Sequence, residues 1–316
     1  MIDCTVGFDT SNYTTSIAVC TLDGKVVANL KRPLPVREGQ RGLRQSDAVF
    51  EHTRNLPYLT EELKSFLADN GLRPVAVGVS STPRDAEGSY MPCFLSGVAA
   101  AGSFSAALNI PLYKFSHQNG HIMAAVYSSG ASDILLSAPF VAFHVSGGTT
   151  EALYVKPNED GLSVSLIGET DDINAGQLID RVGVMMGLSF PAGREMERLA
   201  SEYKGRIHKH PVSVRGGRCS LSGAENIAAK LFEKEQDERA VAAFVFDFVC
   251  KTLISMGETV EAEYGKTPVL FAGGVMSNKL MRANISRRFD AYYAEPEFSA
   301  DNAAGTSILT ARAYLK

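Results

Sequence analysis

The stretch Cys4-Thr-Val-Gly-Phe-Asp-Thr-Ser-Asn-Tyr-Thr-Thr-Ser-Ile-Ala-Val-Cys20 decides how the rest of the chain is read. Two apolar runs flank a small polar turn, which predicts strand, turn, strand; a second turn at Asp23-Gly24 then leads into Lys25-Val-Val-Ala. The unit is a β-meander. A comparable unit recurs at Pro139-Phe-Val-Ala-Phe-His-Val-Ser-Gly-Gly-Thr-Thr-Glu-Ala-Leu-Tyr-Val155, followed by Asn158-Glu-Asp-Gly161 and Leu162-Ser-Val-Ser-Leu-Ile167. Two such units about half a chain apart predict duplicated lobes. Apolar residues at helical spacing follow each, over residues 49–70 and 177–186, so both halves alternate α and β. Further along, residues 237–263 predict helix. Pro268-Val-Leu-Phe271 predicts a buried strand that ends in Ala272-Gly-Gly-Val275 and runs into a helix from Ser277.

A length of 316 residues fits two domains of ordinary size. Hydrophobic residues at 45% and charged ones at 21% exclude disordered, collagen-like and coiled-coil classes. The net charge of −4 excludes a basic nucleic-acid coat, so any RNA contact has to be local. Two local basic stretches exist. Residues 31–44 carry Lys31, Arg32, Arg37, Arg41 and Arg44 against Glu38 alone; residues 206–218 carry Arg206, Lys209, Arg215 and Arg218 with His208 and His210 and no acid. Each reads either as a phosphate-tracking surface or as ordinary solvated charge. The opening residues show no basic region followed by an apolar run, and the five cysteines (Cys4, Cys20, Cys93, Cys219, Cys250) form no C-x-x-C pair. Reduced, packed thiols in a cytoplasmic protein are expected. Residues 91–113 are uncharged over a membrane-spanning length, but their Gly, Ser and Ala content, with Pro92 and Pro111, predicts a buried helix and no membrane association.

The sharpest chemical feature is His117-Gln-Asn-Gly-His121. On a helix, residues four apart share a face, and both imidazoles could reach one metal ion. A zinc peptidase would need Glu after the first His, where this chain has Gln118, so peptidase chemistry is disfavoured. Asp301, in Phe298-Ser-Ala-Asp-Asn-Ala-Ala-Gly305, is the best third ligand; its competing reading is a helix N-cap. Val145-Ser-Gly-Gly-Thr-Thr150 reads either as a loop presenting consecutive backbone donors to phosphate or as a plain hairpin, and residues 7–15 are its counterpart. Neither a Walker A sequence nor G-x-G-x-x-G occurs.

Taken in order, these segments resemble the ASKHA superfamily (actin, heat-shock chaperone, sugar kinase) and, within it, the TsaD-type tRNA threonylcarbamoyltransferases. The resemblance rests on seven motifs in register: His117/His121, Val145 to Thr150, Gly168-Glu-Thr-Asp-Asp-Ile-Asn-Ala-Gly-Gln-Leu-Ile-Asp180, Gly187-Leu-Ser-Phe-Pro-Ala-Gly193, Ser220-Leu-Ser-Gly223, Ala272 to Asn278, and Asp301 to Ala304. It implies a duplicated bilobal α/β fold with a ligand cleft, here lobes 1–130 and 131–316 with the last helix packing back on the first lobe. By the same resemblance His117, His121 and Asp301 bind a divalent metal, iron or zinc. His144, Val145, Ser146, Gly147, Gly148, Asp180, Gly193, Glu197 and Asn278 hold an adenine nucleotide, threonylcarbamoyl-AMP or ATP or AMP in its place. The implied reaction moves the threonylcarbamoyl group to the exocyclic amine of the adenosine beside the tRNA anticodon. The implied partners are tRNA, a smaller metal-free relative and an ATPase.

The chain also departs from the family pattern. The first loop lacks two acidic residues of the family's E-T-S-x-D-E-T, leaving Asp9 as its candidate catalytic carboxylate. Thr149 stands where the family has His, Ile173 where it has a second Asp, and Glu225 where it has Lys; the segment from Ser80 to Met91 is longer than the family's G-P-G loop. Besides the transferase, these departures keep open a nucleotide- and metal-binding scaffold without activity, and the Asp9 loop keeps open an ASKHA ATPase or kinase.

Overall fold

The structure, a computed structural model, describes the whole chain except Asn12, residues 36–42, Asp160 and Ala300. The meander forms as β1 (Ile2–Asp9), β2 (Thr14–Thr21) and β3 (Val26–Pro33). After it come α1 (Gln45–Asp69), β4 (Leu72–Thr82), α2 (Phe94–Leu108), β5 (Leu112–Ser116), α3 (His117–Ser128) and the one-turn α4 (Ser132–Leu135). The recurrent unit forms as β6 (Phe140–Val145), β7 (Thr150–Asn158) and β8 (Gly161–Glu169), followed by α5 (Ala175–Met185), α6 (Gly193–Glu202), β9 (Ser213–Arg215) and β10 (Arg218–Ser220). The chain ends with α7 (Ser222–Glu235), α8 (Glu238–Tyr264), β11 (Val269–Ala272), α9 (Lys279–Ile285), β12 (Ala291–Tyr293) and α10 (Ala304–Tyr314).

Contacts divide the chain into two compact units. The first is Met1–Gly130 with Pro157–Val164 and Glu297–Lys316; the second is Ala131–Lys156 with Ser165–Pro296. Pro157–Val164 and Glu297–Lys316, the latter carrying the last helix, thus fall in the first unit.

In the first unit the sheet runs β3-β2-β1-β4-β5, antiparallel through the meander and parallel from β1 to β4 to β5. β1 is buried on both faces because helices cover both. Cys4, Val6 and Phe8 pack with Leu59 and Leu63 of α1 and Ala101 of α2. The alternate residues meet α10: the Thr5 hydroxyl donates to the Ser307 carbonyl at 2.8 Å, and a Cβ at Gly7 would stand 2.5 Å from the Ser307 nitrogen.

The second unit repeats the strand order as β8-β7-β6-β11-β12, with β6–β7 antiparallel and β6, β11 and β12 parallel. Its core sets Phe143, stacked on Phe271 at 5.1 Å between ring centres, in one apolar cluster with Phe244 and Phe248 of α8. Each such fully buried side chain is worth about 1.5–3 kcal/mol. The membrane-length stretch at 91–113 yields only the 15-residue α2. By length and composition α8 would span a bilayer, but 78% of its apolar window is buried in the protein, the mark of a core helix. All five cysteines are buried and none is in a disulfide.

Candidate functional site

The Ser116 side chain, at the end of β5, accepts from the Asn119 N–H and caps α3, so the helix starts at His117. That start places His117 and His121 on one face, their ring centres 4.2 Å apart. Asp301 lies just before α10, in a turn fixed by Asn302, whose side chain donates to the Phe298 carbonyl and accepts from the Ala304 N–H. The N-cap of α10 is Ala303, so the N-cap reading of Asp301 is displaced. Its Oδ1 instead lies 3.1 Å from His121 Nε2 and 3.5 Å from His117 Nε2. One ligand atom from each of the three residues lies within 4.8 Å of the others.

Two glycines make this approach possible. A Cβ at Gly305 would stand 1.8 Å from the Gly120 carbonyl oxygen, so α3 and α10 touch backbone to backbone. Gly305→Ala is therefore expected to destabilise the protein by at least the 1–3 kcal/mol typical of overpacking. It should also draw His121 from Asp301. Urea unfolding checks the first effect, and an unchanged midpoint would contradict the packing argument.

Asp9, at the end of β1, is fully buried. Its Oδ1 accepts from the Ser11 N–H and hydroxyl, and its Oδ2 lies 2.8 Å from His117 Nδ1. Offered by the sequence as a catalytic carboxylate, it is placed to orient His117, because both oxygens are occupied and no water-facing surface remains. With Asp9 accepting at Nδ1, that nitrogen carries the hydrogen and Nε2 faces Asp301.

The electrostatics follow from two carboxylates around one imidazole. Burial alone would lower the His117 pKa, but Asp9 and Asp301 push it up to about 10. Burial alone would raise both carboxyls; hydrogen bonds and charge from His117, with His121 for Asp301, hold them below the usual 3.8. The two carboxylates therefore favour positive charge among these groups. In metal-stripped protein that charge is carried by a proton, and the sign of the pH dependence is fixed. The raised His117 contributes stability fully below pH 6.5 and loses it as pH rises toward about 10; the lowered carboxyls contribute above 3.8 and lose it as pH falls. The urea midpoint of stripped protein is expected to be higher at pH 6 than at pH 9, with His117→Gln flattening the slope. Equal slopes would refute the charged pair.

One participant escaped the sequence reading. His52, on the inward face of α1 with Ala48, Leu56, Leu59 and Leu63, is wholly buried. Its Nδ1 lies 2.8 Å from Thr15 Oγ1, which also accepts from Asn55, while its Nε2 has no partner. Burial pushes its pKa down to about 4, so it stays neutral. A histidine at a core position of a helical apolar stripe was the available signal.

The residues expected to hold a nucleotide lie in the second unit and meet in pairs. His144 faces Glu151 across the β6–β7 ladder, Nδ1 to Oε1 at 3.9 Å. Val145 is buried, and its carbonyl oxygen would be 2.2 Å from a Cβ at Gly273. Gly147 lies against Gly176. In the turn, the Ser146 hydroxyl accepts from the Gly148 and Thr149 N–H groups, so these two donors point inward rather than being free for phosphate. A serine opening a tight turn captures such donors itself. Asp180 accepts from the Ala192 N–H at 2.8 Å, just ahead of Gly193 at the start of α6, and Glu197 accepts from the Lys279 N–H at 2.7 Å. Asn278 caps α9 through Oδ1, and its buried Nδ2 has no partner. Neither Asp180 nor Glu197 is therefore a free solvated helix residue.

Of the two basic stretches, Arg37 and Arg41 lie outside the described residues. Lys31 donates to the Glu297 carbonyl, and Arg32 lies 3.4 Å from Glu62 and over the Tyr58 ring. In the later stretch Arg218 is tied to Glu169 and Asp171.

A family model described as tRNA N6-adenosine threonylcarbamoyltransferase matches residues 44–308. Proteins bearing that name are similar over nearly the whole chain. The one from Methanopyrus kandleri is 28% identical over 304 residues, covering 95% of this chain and 84% of that protein. One from Thermus thermophilus is 31% identical over 314 residues, covering 98% and 92%. Among solved structures, HypF of T. kodakarensis has a TM-score of 0.65 at 14% identity over 99% of this chain and 48% of that one, so the chain spans about half of HypF. A ROK hexokinase from Thermus thermophilus has a TM-score of 0.52 at 13% identity, covering 99% and 98%. Such distant likeness speaks to fold alone. With the strand order repeated in both units, it gives the duplicated ASKHA fold.

Proposed function

The chain belongs to the TsaD family, the tRNA N6-adenosine threonylcarbamoyltransferases, and on that premise we propose that it transfers a threonylcarbamoyl group from threonylcarbamoyl-AMP to the exocyclic amine of the adenosine beside the tRNA anticodon. The observation that carries the proposal is the convergence of His117, His121 and Asp301, backed by buried Asp9. Two imidazoles and a carboxylate suit iron or zinc, and three protein ligands leave positions open for a substrate oxygen. A divalent ion held by these residues would supply Lewis-acid polarisation of the donor's carbamoyl carbonyl.

The donor is already a mixed anhydride. The adenosine nitrogen attacks the carbamoyl carbon, the bond from that carbon to the phosphate oxygen breaks, AMP leaves and the amine gives up a proton. No covalent nucleophile on the protein is required, and alignment supplies much of the rate. In this reading Asp9 fixes the tautomer of His117, Asp180 and Glu197 receive ribose hydroxyls, and Asn278 turns its unpartnered Nδ2 to the nucleotide. His144 and Val145 through Gly148 border the phosphate, with Gly193 permitting close backbone approach. The setting is the cytoplasm, with a smaller metal-free relative and an ATPase as partners.

The test is reconstitution with those partners, tRNA, threonine, bicarbonate and ATP, with the modified nucleoside read by mass spectrometry. Product is expected; its absence with every partner active would refute the activity. The first loop, short of two family carboxylates, favours a second reading, a nucleotide-binding scaffold. Tight AMP or ATP binding without transfer would select it.

A further inference from the structure

We propose that residues 204–215 of the second unit form a tRNA-binding surface in which Arg206, Lys209 and Arg215 hold backbone phosphates; the inference rests on the transferase reading above. From Tyr203 to Ala224 the sequence contains no acid, within a chain whose net charge is −4. The three cations are exposed, and among the described residues no carboxylate pairs with any of them. By contrast, Arg198, Arg218, Arg239 and Arg288 of this unit are each tied to one or two carboxylates. Arg206, Lys209 and Arg215 thus bring three unneutralised exposed charges into one acid-free segment.

The segment is also held in shape. The Tyr203 hydroxyl donates to the Arg206 carbonyl; the His208 ring meets Phe244 at 5.7 Å and the His210 ring meets Phe248 at 6.3 Å. Ser213–Arg215 then pairs with Arg218–Ser220 as a short ladder. Cations carried on a fixed backbone lose less freedom on binding than cations on a free loop. Two shallow depressions flank the segment, and Lys209 borders both. The acids lining them are Glu235 in the first and Glu258, paired with Arg288, in the second, where Lys251 is paired with Asp247.

The occupant this suits is a phosphate backbone rather than an acidic protein. A protein interface is anchored by buried aromatic side chains. Here the aromatics, Phe244 and Phe248, lie beneath the two histidines, and Ile207 is the one large apolar side chain exposed in the segment. What remains is three exposed cationic donors within one short segment, the chemistry of sequence-independent phosphate contact.

The experiment measures tRNA binding by the full chain across a salt series, comparing wild type, the triple variant Arg206→Glu/Lys209→Glu/Arg215→Glu, its milder triple-Gln counterpart, and Lys64→Glu as a control on the first unit. Loss of three phosphate contacts should weaken binding at least about tenfold at 50 mM salt and lower the slope of log affinity against log salt by about 2–3. The Gln triple should fall between, Lys64→Glu should match wild type, and all should share one melting temperature. Wild-type affinity and slope in a folded triple variant would overturn the surface. So would retained tRNA binding with lost binding of an acidic protein partner. If wild type itself neither binds tRNA nor modifies it with active partners, the functional reading has failed; if wild type modifies tRNA and the triple variant does so with unchanged KM for tRNA, only the surface has.

Discussion

Asp301→Asn is expected to leave the protein folded and to abolish retention of a divalent metal. The substitution keeps the shape of the side chain and an acceptor for His121, but it removes the anion that balances a cation among the two imidazoles. Outer-shell partners of metal ligands are worth 10–100-fold in affinity, so a direct ligand should cost more than about 100-fold. The metal-to-protein ratio after dialysis, measured by elemental analysis, should fall from near one to near zero. Nucleoside formation in the reconstituted system should fall with it. Full metal content in Asp301→Asn would remove this residue from the ligand set and with it the main support for the transferase reading.

How far the sequence foretold this site depends on which contacts are local. The meanders were legible because strand alternation and turn residues act over a few positions. Their recurrence at Pro139 then implied the second lobe. The pairing of His117 with His121 was legible for the same reason, since one helical turn relates them. Asp301 lies 180 positions from His121, and a carboxylate before a helix reads equally as its cap; the decision needed Asn302 and Ala303, which fix the turn. Asp9 was found as a carboxylate, but its contact with His117 was not, because that partner sits 108 positions away. His52 went unnoticed because its spacing on α1 is that of an ordinary core residue. In the Ser146 turn, the glycines announced accessible donors, while the serine that consumes two of them is visible only in three dimensions.

The role assigned to Asp9 leads to a second large effect, at a residue that would never touch the metal. In Asp9→Asn the amide oxygen can still accept from the Ser11 N–H, so the strand end stays in place. The amide nitrogen then faces His117 Nδ1 and donates where the carboxylate accepted. The neutral imidazole must answer with the other tautomer, hydrogen on Nε2, and that hydrogen points toward Asp301 and His121. A ligand nitrogen is thereby capped with a proton. Metal affinity should fall about 10–100-fold, as for other outer-shell carboxylates, with the melting temperature of stripped protein nearer to wild type at pH 9 than at pH 6, because most of the charged pair's contribution is lost by then. Asp9→Ala instead strips the buried Ser11 N–H of its acceptor and should cost a further ~1–3 kcal/mol of stability. The contrast separates orientation from structure: if Asn and Ala lose metal and stability in parallel, Asp9 merely holds the fold. If Asn loses metal alone, and the NMR signal of His117 reports hydrogen on Nε2, the carboxylate sets the tautomer on which the whole cluster depends.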